Sequence, residues 1–283
     1  MKNIKVATGQ FVIQSNLQKN KISIIKLTKE AIKKKAKIVL LPECGLTGYT
    51  GCEIKNTNDL DPKEIDAALA EIGEVAKAGG IFVGVGTALY SSKSKTWTNS
   101  LVIINSKGKR QCVYHKMGLT RGDEIHFSAG TSHPTFKIDK VIFGCQICFD
   151  VRFPDNYRAY FKKGVHVVLH AYHQTGMPEI AAQRRSLLTA FQRVRSSENA
   201  IYTITSNAIG SNQGKDQWVP TMVVNPRGEI INQIAQGKTG IIVSEFNADD
   251  ICENVEADVR KYSAKFLGIK KLPKREIHNS HLK

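Results

Sequence analysis

Cysteine is scarce, with six residues at 44, 52, 112, 145, 148 and 252 in a chain of 283. At that density disulfides are not standing in for a missing core, and reduced thiols are the expectation. Long apolar runs are lacking as well. No stretch approaches a membrane span. The N-terminal segment IKVATGQFVI alternates like a strand and lacks the apolar block and small-residue cleavage site of a signal peptide. A soluble cytoplasmic protein with no membrane partner is therefore expected. Acidic residues are in deficit, 25 Asp and Glu against 41 Lys and Arg, for a net charge of +16. That excess suits nucleic acid only where it is concentrated on one face. Here 30 of the cations are Lys and 11 are Arg, with Lys scattered through Asn20 to Lys37 and Lys270 to Lys283. A solvated lysine-rich surface is expected, and nucleic acid is not expected as a partner.

What is present is ordinary globular material, 41% hydrophobic and 23% charged, enough to bury a sizeable core. Length alone allows one domain or two. The pattern along the chain is more informative. Apolar Ile/Val runs alternate with amphipathic segments, as in a sheet covered by helices. Asn16 is placed to cap a helix ending near Ala36, Lys37 to Leu41 reads as a buried strand, and a second helix runs from Pro62 to the Gly79-Gly80 stop. Strand 81–90 follows it. Between Ser91 and Phe143 there are strands without room for helices. Alternation then returns with VVLHAY, a helix near Pro178 to Ser197, the strands IYTITSN, PTMVVNP and TGIIVSEF, and a last helix starting in the acidic segment Asp249 to Asp258. No repeat and no linker divides the chain. One α/β domain over residues 1–262 and a basic tail over 263–283 are expected.

Three strand ends carry polar residues that packing does not require, and such ends are where α/β folds place ligands. In LLPECGLTGY, Glu43 directly follows an apolar strand. It is either a desolvated general base or an ordinary loop carboxylate. In YHKMGL, Lys116 follows another strand, with Glu124 eight positions later. One lysine among 30 carries little weight alone, and His115 reads as a packing or loop residue. In VIFGCQICFDVRFPD, the apolar run ends at Cys148 and turns into a proline-initiated helix, an arrangement that exposes a nucleophile above a sheet. A thiol needs a nearby base or cation to form thiolate, and Glu43 and Lys116 suit those roles. Cys145 and Cys148 also spell C-x-x-C. No second pair exists, the His170/His173 spacing is tighter than in zinc fingers, and Cys145 falls inside the strand, so neither a metal site nor a redox pair is expected.

Taken in order, these segments resemble the nitrilase superfamily of carbon–nitrogen hydrolases. The resemblance rests on a Glu after a strand-Pro, a Lys in an H-K-x-x-L-like segment and a Cys in G-x-x-I-C-x-D-x-R-F-P. Arg195-Ser196-Ser197-Glu198-Asn199 and Val223-Val224-Asn225-Pro226-Arg227-Gly228-Glu229 resemble further family segments, so the likeness extends over about Ile4 to Tyr262. It implies a four-layer αββα sandwich paired into a homodimer or higher homo-oligomer. It also implies a Glu43, Lys116 and Cys148 triad, with Glu124 orienting Lys116 or substrate, and Lys116 with the Phe149 N–H as oxyanion donors. No cofactor is implied. Phe149-Asp150 after the nucleophile is similar to the amidase and omega-amidase-like branches rather than to true nitrilases, which typically carry Trp-Glu. The expected substrate is a small linear amide, with N-carbamoyl compounds as the alternative and a catalytically idle binding or scaffold protein as a different class. Asp155 stands where Glu is usual, and Val219-Pro220-Thr221 where many relatives have G-x-S. His170, Tyr172 and His173 lie where relatives line the substrate pocket, and they are the candidates for substrate binding.

Overall fold

A computed structural model describes residues 3–210, 216–251 and 254–275; Cys252 and the end of the basic tail lie outside the described residues. Strand β1 (Asn3–Gln10) leads into helix α1 (Leu17–Lys33), which begins where the Asn16 side chain accepts from the Lys19 N–H. Strand β2 (Ile38–Leu40) precedes α2 (Pro62–Gly79), entered with proline in its first turn and left through Gly80 in the left-handed conformation. β3 (Phe82–Ser91), β4 (Thr96–Ile104) and β5 (Arg110–His115) follow as consecutive antiparallel neighbours.

The second half contains a single helical turn α3 (Arg121–Glu124), β6 (Thr135–Ile138), β7 (Val141–Ile147), a 3-10 turn over Cys148–Arg152, and α4 (Pro154–Lys162). β8 (Val167–Tyr172), the two-residue β9 (Thr175–Gly176), α5 (Ala181–Asn199) and β10 (Tyr202–Asn207) come next. β11 (Asp216–Gln217), β12 (Met222–Val224), β13 (Ile230–Gln233), β14 (Gly240–Asn247) and α6 (Asn254–Phe266) close the described chain.

The strands form two six-stranded sheets, ordered β14-β1-β2-β3-β4-β5 and β13-β12-β10-β8-β7-β6, with β9 and β11 as a separate ribbon. Each sheet has a parallel centre, β1/β2/β3 in one and β7/β8/β10 in the other. The period-two alternation of strands decides which side chains meet. Ile38, Leu40, Leu101, Ile103, Cys112 and Tyr114 of the first sheet face Phe143, Cys145, Ile147, Val167 and Leu169 of the second. The intervening Val39, Val102 and Ile104 face Ile24, Leu27, Leu69 and Ile72 of α1 and α2. On the far side, Val168 and Ile201 pack on Tyr157 and Tyr160 of α4. The result is the expected four-layer αββα sandwich, with its principal core between the sheets. Truncating one of these central side chains, such as Leu40→Ala, costs about 2–5 kcal/mol.

Helix α6 runs through position 262 to Phe266. Beyond it the chain turns back, with Pro273 against Gly164 and the Arg275 guanidinium donating to the carbonyls of Val165 (2.7 Å) and Ala200. Those carbonyls lie just past the C-terminal ends of α4 and α5, where helices leave acceptors unpaired and carry the negative end of their dipoles. A basic segment docks there for that reason. Among the described residues no helix is long and apolar enough to cross a membrane.

Candidate active site

The alternation that builds the core also delivers the polar groups. Cys112, Tyr114 and Lys116 fall on one side of β5, so Lys116 enters the space between the sheets one residue past the strand. Glu43 follows β2, and Gly86 on neighbouring β3 lets that loop lie flat on the sheet. A Cβ at position 86 would fall on the Pro42 carbonyl oxygen and within 2.7 Å of the Glu43 Cα. Both charged side chains are completely buried.

Glu43 Oε1 accepts hydrogen bonds from Lys116 Nζ and Asn99 Nδ2, both at 2.8 Å, and Oε2 accepts from the backbone N–H of His173 at 2.7 Å. Lys116 Nζ also donates to Asp123 Oδ2 at 2.9 Å. Asp123 is itself fixed by the Thr120 N–H and hydroxyl and by the Tyr49 hydroxyl at 2.6 Å. Burial alone would drive the Lys116 ammonium to deprotonate, but the charges around it, Glu43 foremost, hold its pKa well above the ordinary lysine value. Burial works against the Asp123 carboxylate too, yet Lys116 and the hydrogen bonds keep that group below its usual range. This is a buried ion triplet whose members are each hydrogen-bonded, the condition under which buried charge is tolerated.

Cys148 stands at the end of β7 with φ +46°, a left-handed conformation costly for a residue with a side chain, and it opens the 3-10 turn. That sharp turn is the elbow anticipated from the sequence. Asp150 ties it down, its carboxylate accepting from the Ile147 N–H (3.0 Å), the Tyr114 hydroxyl (2.8 Å) and the Gly118 N–H (2.6 Å). One side chain thereby joins the cysteine turn to the lysine strand and its loop. Burial pushes Asp150 up to about 6, while these donors pull the other way, so it is ionised at neutral pH. Gly118 makes the approach possible, because a Cβ there would come within 2.7 Å of the Phe153 ring. The Cys148 thiol is raised by burial first and by the Glu43 charge second, with Lys116 and a hydrogen bond from Gln174 opposing. Its resting form is the neutral thiol, so attack needs a base at hand.

Not every candidate residue lies where the sequence suggested. Glu124 is exposed, and Asp123, one residue earlier, contacts Lys116 instead. Thr120 caps the short α3 turn and reciprocally binds Asp123, fixing that side chain inward; the Thr-x-x-Asp capping signature is the sequence signal that would have found it. We expect Asp123→Ala to destabilise the protein by about 2–3 kcal/mol and Glu124→Ala to change it by less than about 0.5 kcal/mol. Urea unfolding of both variants checks this, and equal losses would restore Glu124.

His170 and Tyr172 are held by packing and hydrogen bonds within the protein. Both are completely buried, with rings stacked at 4.3 Å on the helix-covered face of β8, where His170 bonds the Tyr157 hydroxyl and Gln192. Both touch the site's frame: His170 Nε2 reaches the Cys148 carbonyl at 3.2 Å and the Tyr172 carbonyl accepts from the Glu43 N–H at 3.3 Å. Burial lowers the His170 imidazole to about 3, so it is neutral. His173 does reach the site. Its backbone bonds Glu43, its ring stacks on Tyr49 at 4.9 Å, and its Nε2 meets Glu53 at 3.0 Å. Gln174, which the sequence did not single out, donates to Cys148 Sγ at 3.0 Å. Cys145 faces the other way, into the inter-sheet core, with its thiol hydrogen-bonded to Cys112. The C-x-x-C pair is thus divided between core and site. Among the described residues no group of three or more His, Cys, Asp or Glu side chains is arranged to hold a metal ion.

The two six-stranded sheets of the αββα sandwich thus bring a buried Glu43 and Lys116 within electrostatic reach of the buried Cys148. The family model for carbon–nitrogen hydrolases matches residues 5–253, and the chain belongs to that family. Among curated relatives, the chain is 26% identical over 235 residues to a 2-oxoglutaramate amidase of Bacillus subtilis (strain 168), covering 81% of this chain and 86% of that protein. It is 22% identical over 267 residues to an N-carbamoylputrescine amidase of Arabidopsis thaliana, covering 88% of each. Among solved structures, the amidase from Nesterenkonia sp. AN1, with an acetamide moiety covalently added at its active-site cysteine, superposes with a TM-score of 0.78 at 20% identity. That match covers 94% of this chain and 95% of that one and establishes likeness of fold.

Proposed function

We propose that the protein hydrolyses a small linear amide to a carboxylate and ammonia through a thioester on Cys148. The observation that carries this reading is the fixed, buried Glu43 carboxylate, held by three donors (Lys116, Asn99 and the His173 N–H) beside a buried neutral thiol. In the first step Glu43 takes the Cys148 proton and the sulfur attacks the amide carbonyl. The oxygen that becomes negative is stabilised by the Lys116 ammonium and by the backbone N–H of Phe149, adjacent to the nucleophile; one such donor is worth about 10²–10³ in rate. The proton on Glu43 then passes to the departing nitrogen, which leaves as ammonia. Water, deprotonated by the same carboxylate, attacks the thioester carbonyl, and the sulfur leaves to recover its proton. General acid–base help of this kind contributes about 10²–10⁴. Asp123 and Asp150 position the lysine and the cysteine turn.

The likeness to a 2-oxoglutaramate amidase favours an amide substrate. The likeness to an N-carbamoylputrescine amidase favours N-carbamoyl compounds as the second reading. A panel of 2-oxoglutaramate, acetamide, butyramide, N-carbamoylputrescine and a short nitrile, assayed for ammonia, separates them. Release from the amides is expected and little from the nitrile. No release from any compound by folded protein would favour the idle binding or scaffold reading.

We also propose a homodimer. Leu187 and Val194 of α5, and Val255, Tyr262 and Phe266 of α6, are exposed apolar residues at helical spacing on two helices that pack together. Sedimentation at micromolar concentration is expected to give a dimer, and Val194→Asp with Tyr262→Asp to shift it to monomer; a monomeric wild-type protein ends this proposal.

A further inference from the structure

We propose that Gln174 stabilises the Cys148 sulfur each time it becomes a thiolate during the reaction and that Asn207 is the positioning residue that keeps Gln174 there. This inference rests on the reading of Cys148 as nucleophile. The need for such a donor follows from the charges around the sulfur. Among the described residues the ammonium near it, Lys116, is shared between two carboxylates, Glu43 and Asp123, so its positive charge is already offset. Both carboxylates oppose a negative sulfur. A neutral N–H donor lying directly on the sulfur stabilises the thiolate without adding charge to a buried cluster. Among the described residues, the side chain seen donating to Cys148 Sγ is that of Gln174, at 3.0 Å.

Its placement is built, not incidental. The parallel ladder between β8 and β10 ends at the Tyr172 and Asn207 pair, and there the Asn207 carboxamide continues it in place of a strand. Asn207 Oδ1 accepts from the Gln174 N–H at 2.8 Å, and Asn207 Nδ2 donates to the Gln174 carbonyl at 3.0 Å and to the Val219 carbonyl at 2.8 Å. The Trp218 N–H donates to the same Gln174 carbonyl at 2.8 Å. Immediately after, β9 pairs with β11. Asn207 is completely buried. The backbone of Gln174 is therefore fixed from both sides, which limits where its carboxamide can rest.

The hydrogen bond changes strength through the reaction in the useful direction. It strengthens when Glu43 takes the proton and the sulfur becomes negative, weakens when the sulfur is neutral in the thioester, and strengthens again as the sulfur leaves. An interaction stronger in charged, reacting states than in resting ones accelerates the chemistry rather than merely binding substrate.

The test uses the full chain and needs no substrate. The iodoacetamide alkylation rate of Cys148 is followed against pH by mass spectrometry of its peptide. In Gln174→Leu the inflection of that profile should move up by about one pH unit, so that the rate below it falls about tenfold. Gln174→Glu, which sets a third carboxylate beside the sulfur, should move it further in the same direction. Asn207→Asp keeps an acceptor for the Gln174 N–H but loses both donated bonds, and should give a smaller shift of the same sign. An inflection unchanged in Gln174→Leu of wild-type thermal midpoint overturns the proposal; should that variant fail to fold, an unchanged or lowered inflection in Gln174→Glu does so. No movement in Asn207→Asp beside a clear shift in Gln174→Leu removes Asn207 from it. If Cys148 is not the fastest-alkylated cysteine of the wild-type protein, the nucleophile reading has failed instead, and the two failures are distinct.

Discussion

Cys148→Ala is expected to abolish ammonia release from any amide that the wild-type protein cleaves, a loss on the order of 10⁴-fold or more, because no second nucleophile replaces the thioester route. Cys145→Ala, three residues earlier and inside β7, should keep most of the activity. The two sulfurs have opposite surroundings. Cys148 sits past the strand end in a left-handed turn, within the electrostatic reach of Glu43 and Lys116. Cys145 points into the inter-sheet core beside Cys112, where burial raises its thiol well above the ordinary value and no base acts on it. Removing its sulfur leaves a small cavity and costs about 1 kcal/mol in stability. Initial rates of both variants on one responsive amide decide the matter, and equal loss in the two would point to a paired-thiol mechanism.

Lys116→Met should combine inactivity with the largest loss of stability among single substitutions at the site. It leaves Glu43 and Asp123 buried without their shared cation, and breaking a buried ion pair from one side costs about 3–5 kcal/mol. The pH dependence has a definite sign. In the wild-type protein Asp123 is held below the ordinary carboxylate value, so it contributes stability that is present above the unfolded-state pKa and lost as pH falls through the folded one. Without Lys116, burial is no longer outweighed at Asp123, and its carboxyl rises above the unfolded-state value. Protonation then relieves the variant as pH falls. The difference in thermal midpoint between wild type and Lys116→Met should therefore be largest near pH 8 and shrink towards pH 5. A gap that stays constant or widens on acidification would contradict the buried ion triplet.

Strand ends, the proline-led helices and the cysteine turn announce themselves locally, through apolar runs, caps and turn residues, and the structure matches them at β2, α2, β7 and α4. Family likeness points to Glu124, whereas the cap formed by Thr120 turns Asp123, one residue earlier, inward. His170 and Tyr172 sit two residues apart and so share one face of β8, but nothing local says whether that face meets the other sheet or the helices. His170 and the Tyr172 hydroxyl meet Gln192 of α5. Gln174 is invisible for a related reason: its position depends on Asn207, at the far end of a different strand.

By itself the sequence determined the alternation of strands and helices, the residue types at three strand ends and the excess of positive charge, because these depend on composition and short-range periodicity, while the four-layer arrangement followed from the family resemblance. Only the tertiary structure decided which acid partners the lysine, which face of β8 touches the chemistry and that the Glu43 carboxylate meets a backbone N–H 130 residues further along the chain. Those outcomes depend on how two sheets register against each other, a long-range packing result that no window of neighbouring residues encodes.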